Sequence, residues 1–129
     1  MLAVDTNIIV RYVTRDHEEQ SPRAKRLVDG NNVFVSTTVL LETEWVLRSA
    51  YGFSRAEIVE ALRLFAGLPS LSLENPRVAH RALDWFSGGM DFADALHLAS
   101  GAACEVFVSF DRRLARISER IEGVTVRAP

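Results

Sequence analysis

Cysteine and lysine are each represented once in this 129-residue chain, by Cys104 and Lys25, and no long uninterrupted apolar run occurs anywhere. One cysteine excludes an internal disulfide and suggests a reducing compartment; in its apolar stretch Cys104 reads as a small buried hydrophobe. The missing apolar run excludes a membrane-spanning helix, which needs about 18 such residues. Asp5 also interrupts the amino terminus too early for a secretory signal, so the expectation is a cytoplasmic protein. No repeat or low-complexity tract divides the chain. One domain over residues 1–129 is expected, large enough to fold on its own core.

No strong charge excess points to a partner either. The formal net charge is −2, mildly unfavourable for a nucleic-acid binder, which normally carries a basic patch. That balance changes sign if some acids are metal ligands: without the four argued for below, 13 acidic side chains face 15 basic ones. Fourteen of those bases are arginine, a side chain suited to bidentate phosphate contact, although a general compositional bias gives the same excess.

What is present begins with Met1-Leu2-Ala3-Val4-Asp5-Thr6-Asn7, a short apolar strand stopped by an acid. In a parallel sheet the residue just past such a strand faces the ligand crevice, while an aspartate there can equally cap the following helix. Val33-Phe34-Val35, Leu71-Ser72-Leu73, Val106-Phe107-Val108 and Val124-Thr125-Val126 read as further strands. Between them lie helices: from about Asn7, about Ser21 to Val28, from Ser36-Thr37-Thr38 to Gly52, from the Ser54/Glu57 capping box to Gly67, from Asn75-Pro76 to about Phe86, from Asp91 to Ala103, and a short amphipathic one through Leu114, Ile117 and Ile121. Alternating strands and helices predict an α/β fold, a three-layer α/β/α sandwich around a mainly parallel sheet of four to five strands.

Four acids would then meet at one sheet edge. Glu42 lies one turn into its helix beside Val39 and Val46, at the border of the expected core face of Val39, Leu40, Thr43, Val46, Leu47 and Ala50; Glu44 falls on the opposite, solvated face. Asp91, Asp94 and His97 make a polar stripe on an otherwise apolar helix. Burying Asp94 there without a partner costs several kcal/mol, so a cation is called for. Asp91 can serve as that helix's N-cap, and His97 as a polar contact or a satisfied core histidine. Asp111 repeats the pattern of Asp5, again with a cap as the alternative. Clustered carboxylates repel unless a cation neutralises them, and an all-oxygen site selects Mg²⁺ or Mn²⁺. Such ions activate water in phosphodiester hydrolysis.

These segments resemble the PIN-domain ribonucleases, and among them the VapC-like toxins of toxin–antitoxin pairs. The resemblance rests on Val4-Asp5-Thr6-Asn7, on Leu41-Glu42-Thr43-Glu44-Trp45-Val46-Leu47 preceded by Ser36, on Asp91-Phe92-Ala93-Asp94-Ala95-Leu96-His97-Leu98-Ala99, and on Val108-Ser109-Phe110-Asp111. It implies Mg²⁺- or Mn²⁺-dependent endonucleolytic cleavage of RNA, a homodimer, and inhibition by a small antitoxin protein. It also implies roles: Asp5, Glu42, Asp94 and Asp111 as metal ligands and catalytic residues, Asp91 as an outer ligand, and Thr6 and Ser109 as supporting hydroxyls. Arg11, Arg15, Arg112, Arg113 and Arg116 are candidates for RNA phosphate contact. Substrate choice would fall on exposed loops of structured RNA such as tRNA or rRNA. Two rival classes remain. An aspartyl-phosphate enzyme would need a second acid where Asn7 stands, and a non-catalytic interaction module would be expected to have lost one of the four acids.

Overall fold

The computed structural model describes residues 1–129 and contains seven helices and five strands. By contacts along the backbone the chain divides into two compact units, Met1–Pro76 and Arg77–Pro129.

The first unit runs β1 (Leu2–Ala3), α1 (Thr6–Thr14), α2 (Gln20–Gly30), β2 (Val33–Val35), α3 (Thr37–Ser49), α4 (Arg55–Ala66) and β3 (Leu71–Leu73). Its strands form one parallel sheet in the order β1-β2-β3, with Leu2 beside Val33 and Val33 beside Leu71. Parallel neighbours need long crossovers, and each is a pair of helices, α1–α2 and then α3–α4. Val33 and Val35 are buried with Ile9, Val10, Val28, Leu40, Leu47, Ile58, Leu62 and Phe65. Tyr12 meets Phe65 edge-on at 5.4 Å. The capping box forms as expected: Ser54 Oγ accepts from Glu57 N at 3.1 Å and Glu57 Oε1 accepts from Ser54 N at 2.9 Å. Those bonds hold the Glu57 carboxyl below the usual carboxylate range.

The second unit contains α5 (Pro76–Ser87, its first residue at the boundary), α6 (Phe92–Ser100), β4 (Phe107–Val108), α7 (Arg112–Ser118) and β5 (Val126–Arg127). β4 and β5 are again parallel, with α7 as the crossover. Phe86 and Phe92 pack edge-on at 5.4 Å across the α5–α6 joint, where Gly89 adopts a left-handed φ of +116° that favours glycine. The α/β class and parallel strands are as the sequence predicts. The five strands form a sheet of three and a sheet of two rather than one sheet of four to five.

Three expectations are corrected. In α3 the buried residues are Leu40, Thr43, Glu44 and Leu47: Leu40, Thr43 and Leu47 of the expected face are in the core, while Val39 and Val46 are half-buried and Ala50 is exposed. Glu44 is only 2% exposed, and Glu42 is exposed, the reverse of the expected faces. Burial of Glu44 is compensated one turn on, where Arg48 Nε donates to its Oε2 at 2.9 Å. α6 stops at Ser100, its end capped by the Gly101 N–H on the carbonyls of His97 and Leu98. Cys104 consequently lies exposed in the following turn. His97 is likewise exposed rather than a core histidine.

Breaking the Glu44–Arg48 pair from one side should cost more than removing its buried half. Arg48→Met leaves a buried carboxylate without its guanidinium and is expected to lower stability by about 1–3 kcal/mol. Glu44→Leu is expected to be near neutral or stabilising. Urea midpoints at constant m-value measure both.

Candidate active site

The first strand delivers Asp5 to the start of α1. Its Oδ1 accepts from Thr6 N at 2.8 Å, so the residue is the helix N-cap, and its side chain is exposed. Thr6 beside it is buried, and its hydroxyl donates to Glu42 Oε1 on α3. This bond joins residues 36 positions apart and fixes one oxygen of an otherwise exposed carboxylate next to Asp5. The expected Thr6 hydroxyl is thus present, directed at Glu42. Ser36 caps α3, accepting from Val39 N at 3.2 Å, and Glu74 Oε1 accepts from Thr37 N at 2.9 Å. Together they pin the helix start from which Glu42 projects.

In the second unit Asp91 caps α6, its Oδ2 accepting from Asp94 N at 3.1 Å. Asp111 caps α7, its Oδ1 accepting from Arg113 N at 2.9 Å and Leu114 N at 3.1 Å. Ser109 Oγ accepts from Asp111 N at 3.0 Å, completing a tight turn. Asp94, one turn into the apolar α6, is only partly exposed. Burial, then the negative charges of Asp91 and Asp111, push its carboxyl above the usual range, with His97 opposing.

Capping and metal ligation are therefore compatible for Asp5, Asp91 and Asp111. Each engages backbone N–H groups through one carboxylate oxygen, which orients the other. The structure brings Thr6 to Glu42 in one unit and Asp91, Asp94 and Asp111 within electrostatic reach of one another in the other.

A family model for the PIN domain matches residues 2–120. The chain belongs to the PIN-domain family. Members of this family are in general metal-dependent nucleases acting on nucleic acid. The match to the PIN model runs through both units and includes every acid named above. No curated protein matches the chain.

The donor chemistry fits the divalent ion that PIN nucleases use. Every candidate is a hard carboxylate, and Asp94 sits where negative charge is least favourable. Nowhere in the chain are three or more Asp, Glu, His or Cys side chains gathered closely enough to enclose an ion. Mg²⁺ does not require such a cage, since it keeps several waters and takes one or two carboxylates directly.

Of the five arginines, Arg11 is already engaged: Nε donates to Gln20 at 2.9 Å and Nη1 to the Tyr51 hydroxyl at 2.9 Å, with Asp16 at 3.4 Å. Its role is to tie α1 to the chain around it. Arg15 ends α1 with a left-handed φ of +53° and lies over the Tyr12 ring at 5.8 Å. Arg112, Arg113 and Arg116 are exposed on α7 and have no ion-pair partner. The sequence reading passed over Phe110, 84% exposed between Ser109 and Asp111. Its only signal was a large aromatic inside a polar strand exit.

The strain at Asp94 sets a pH dependence. A carboxyl whose folded pKa is raised binds more protons folded than unfolded, so stability falls as pH rises from the ordinary carboxylate value through the folded one. Above that window the charged Asp94 destabilises the metal-free protein. Asp94→Asn should therefore raise the metal-free thermal midpoint at pH 7, and the gain should disappear at pH 3. An unchanged or lowered midpoint at pH 7 would remove the electrostatic argument.

Proposed function

We propose that this chain is a single PIN domain acting as a metal-dependent endoribonuclease, the toxin of a toxin–antitoxin pair. The observation that carries the reading is Asp94: a carboxylate held on an apolar helix with Asp91 and Asp111 raising its cost, in a chain that belongs to a nuclease family. A cation bound there would offset that cost. Asp5, Glu42, Asp94 and Asp111 would hold Mg²⁺, or Mn²⁺ in its place, and Asp91 would act from the outer shell. When bound, the ion activates water and stabilises the charge that develops at phosphorus.

The chain's own groups do the positioning. Thr6 holds Glu42 Oε1, which leaves Oε2 as the oxygen to face the ion. The caps made by Asp5 and Asp111 fix those carboxylates without consuming both oxygens. Ser109 stiffens the turn that carries Asp111. The toxin assignment, with a homodimer in the cytoplasm and a small inhibitory antitoxin, is supported by the four motifs in order and the retention of every acid. The presence of all four acids stands against a non-catalytic module, and Asn7 stands against an aspartyl-phosphate enzyme.

Purified protein incubated with labelled total RNA should give discrete fragments in Mg²⁺ or Mn²⁺ and none with chelator. Asp5→Asn and Asp94→Asn should each reduce cleavage by roughly 100-fold or more with unchanged circular dichroism. Cleavage that survives chelation or both substitutions would contradict the reading.

A further inference from the structure

We propose that Phe110 is a stacking platform for an unpaired base of the RNA substrate. The inference rests on the nuclease reading and adds to it a residue outside the acidic set.

Phe110 is the most exposed large apolar side chain in the chain, at 84%. A phenylalanine left in water forgoes the gain of burial, and the backbone on either side of it is held. On one side, Ser109 N donates to the Arg127 carbonyl at 2.9 Å, tying the residue before it to β5. On the other, Asp111 N donates to Ser109 Oγ at 3.0 Å while Asp111 Oδ1 holds two amides of α7. The ring is thus carried on a turn closed from both sides. A flat partner arriving there meets a backbone that needs little ordering.

The surroundings select the partner. Phe110 directly precedes Asp111, a proposed metal ligand, so a base stacked on the ring lies next in sequence to the acid that would act on its phosphodiester. α7 then presents Arg112, Arg113 and Arg116, all exposed, with no acidic residue within the helix and no ion pair to any of them. An exposed aromatic ring immediately before a helix that carries unpaired guanidinium groups supplies both parts of a single-strand contact, a ring for a base and arginines for phosphates. A paired base offers no free face to such a ring, so the duplex form is disfavoured.

The test uses the full-length chain carrying Asp94→Asn, to prevent cutting, and fluorescein-labelled oligoribonucleotides with 2-aminopurine at successive positions. Phe110→Leu, which keeps an apolar side chain on the same turn, is expected to weaken single-strand binding by about tenfold and to abolish stacking quenching at one 2-aminopurine position. Phe110→Trp should retain both, and binding of the duplex should be indifferent to either change. Binding and quenching unaltered in Phe110→Leu would overturn the platform while leaving the nuclease reading intact. Absence of RNA binding by both proteins would overturn the nuclease reading and the platform with it. A change of sedimentation coefficient in Phe110→Leu with quenching unaltered would assign the ring to contact between protein copies and also overturn it.

Discussion

The cost of seating a carboxylate on an apolar helix is the physical constraint at the centre of this structure. α6 is an apolar helix whose Phe92, Ala95, Leu96, Leu98 and Ala99 are buried, yet it begins at one aspartate and carries a second a turn later. A third, Asp111, acts on the second from the start of α7. Folding alone would favour an alanine or asparagine at position 94. A charged side chain there is an electrostatic cost to the metal-free fold.

The fold limits that cost by giving most of the acids a structural task as well. Asp5, Asp91 and Asp111 start helices, and helix starts favour negative charge through their free N–H groups and the helix dipole. Glu42 has no cap to make and is instead held by the buried Thr6 hydroxyl. Asp5, Glu42, Asp91 and Asp111 are therefore each held through a carboxylate oxygen by the protein itself. Asp94 alone has no such bond through its carboxylate, and it is the one whose acidity is shifted upward.

Much of this was legible in the sequence because the signals were local. Strand runs such as Val33-Phe34-Val35, the Ser54/Glu57 box and proline at the first turn of α5 act over a few residues, and each forms where expected. The capping and ligand readings of Asp5, Asp91 and Asp111 looked like rivals in one dimension and prove compatible once individual oxygens are counted. What failed depended on rotation or on distant chain. The expected α3 face holds at Leu40, Thr43 and Leu47 and fails at its edge, where Glu44 rather than Val39, Val46 or Ala50 is buried, because residues one apart lie about 100° from each other on a helix and packing decides which edge turns inward. The Thr6–Glu42 bond joins α1 to α3, and nothing in either segment announces it. Phe110 was invisible because periodicity predicts burial for any large apolar residue near a strand.

The central claim is that these carboxylates exist to hold a divalent cation, and direct Mn²⁺ uptake tests it without any assumption about substrate. Free Mn²⁺ would be followed by its paramagnetic resonance signal as the full-length chain is titrated at pH 7, with Mg²⁺ as competitor. The account predicts saturable uptake that Mg²⁺ displaces and that Asp94→Asn greatly weakens. No uptake at millimolar Mn²⁺ by the folded protein, or uptake indifferent to Asp94→Asn, would contradict it.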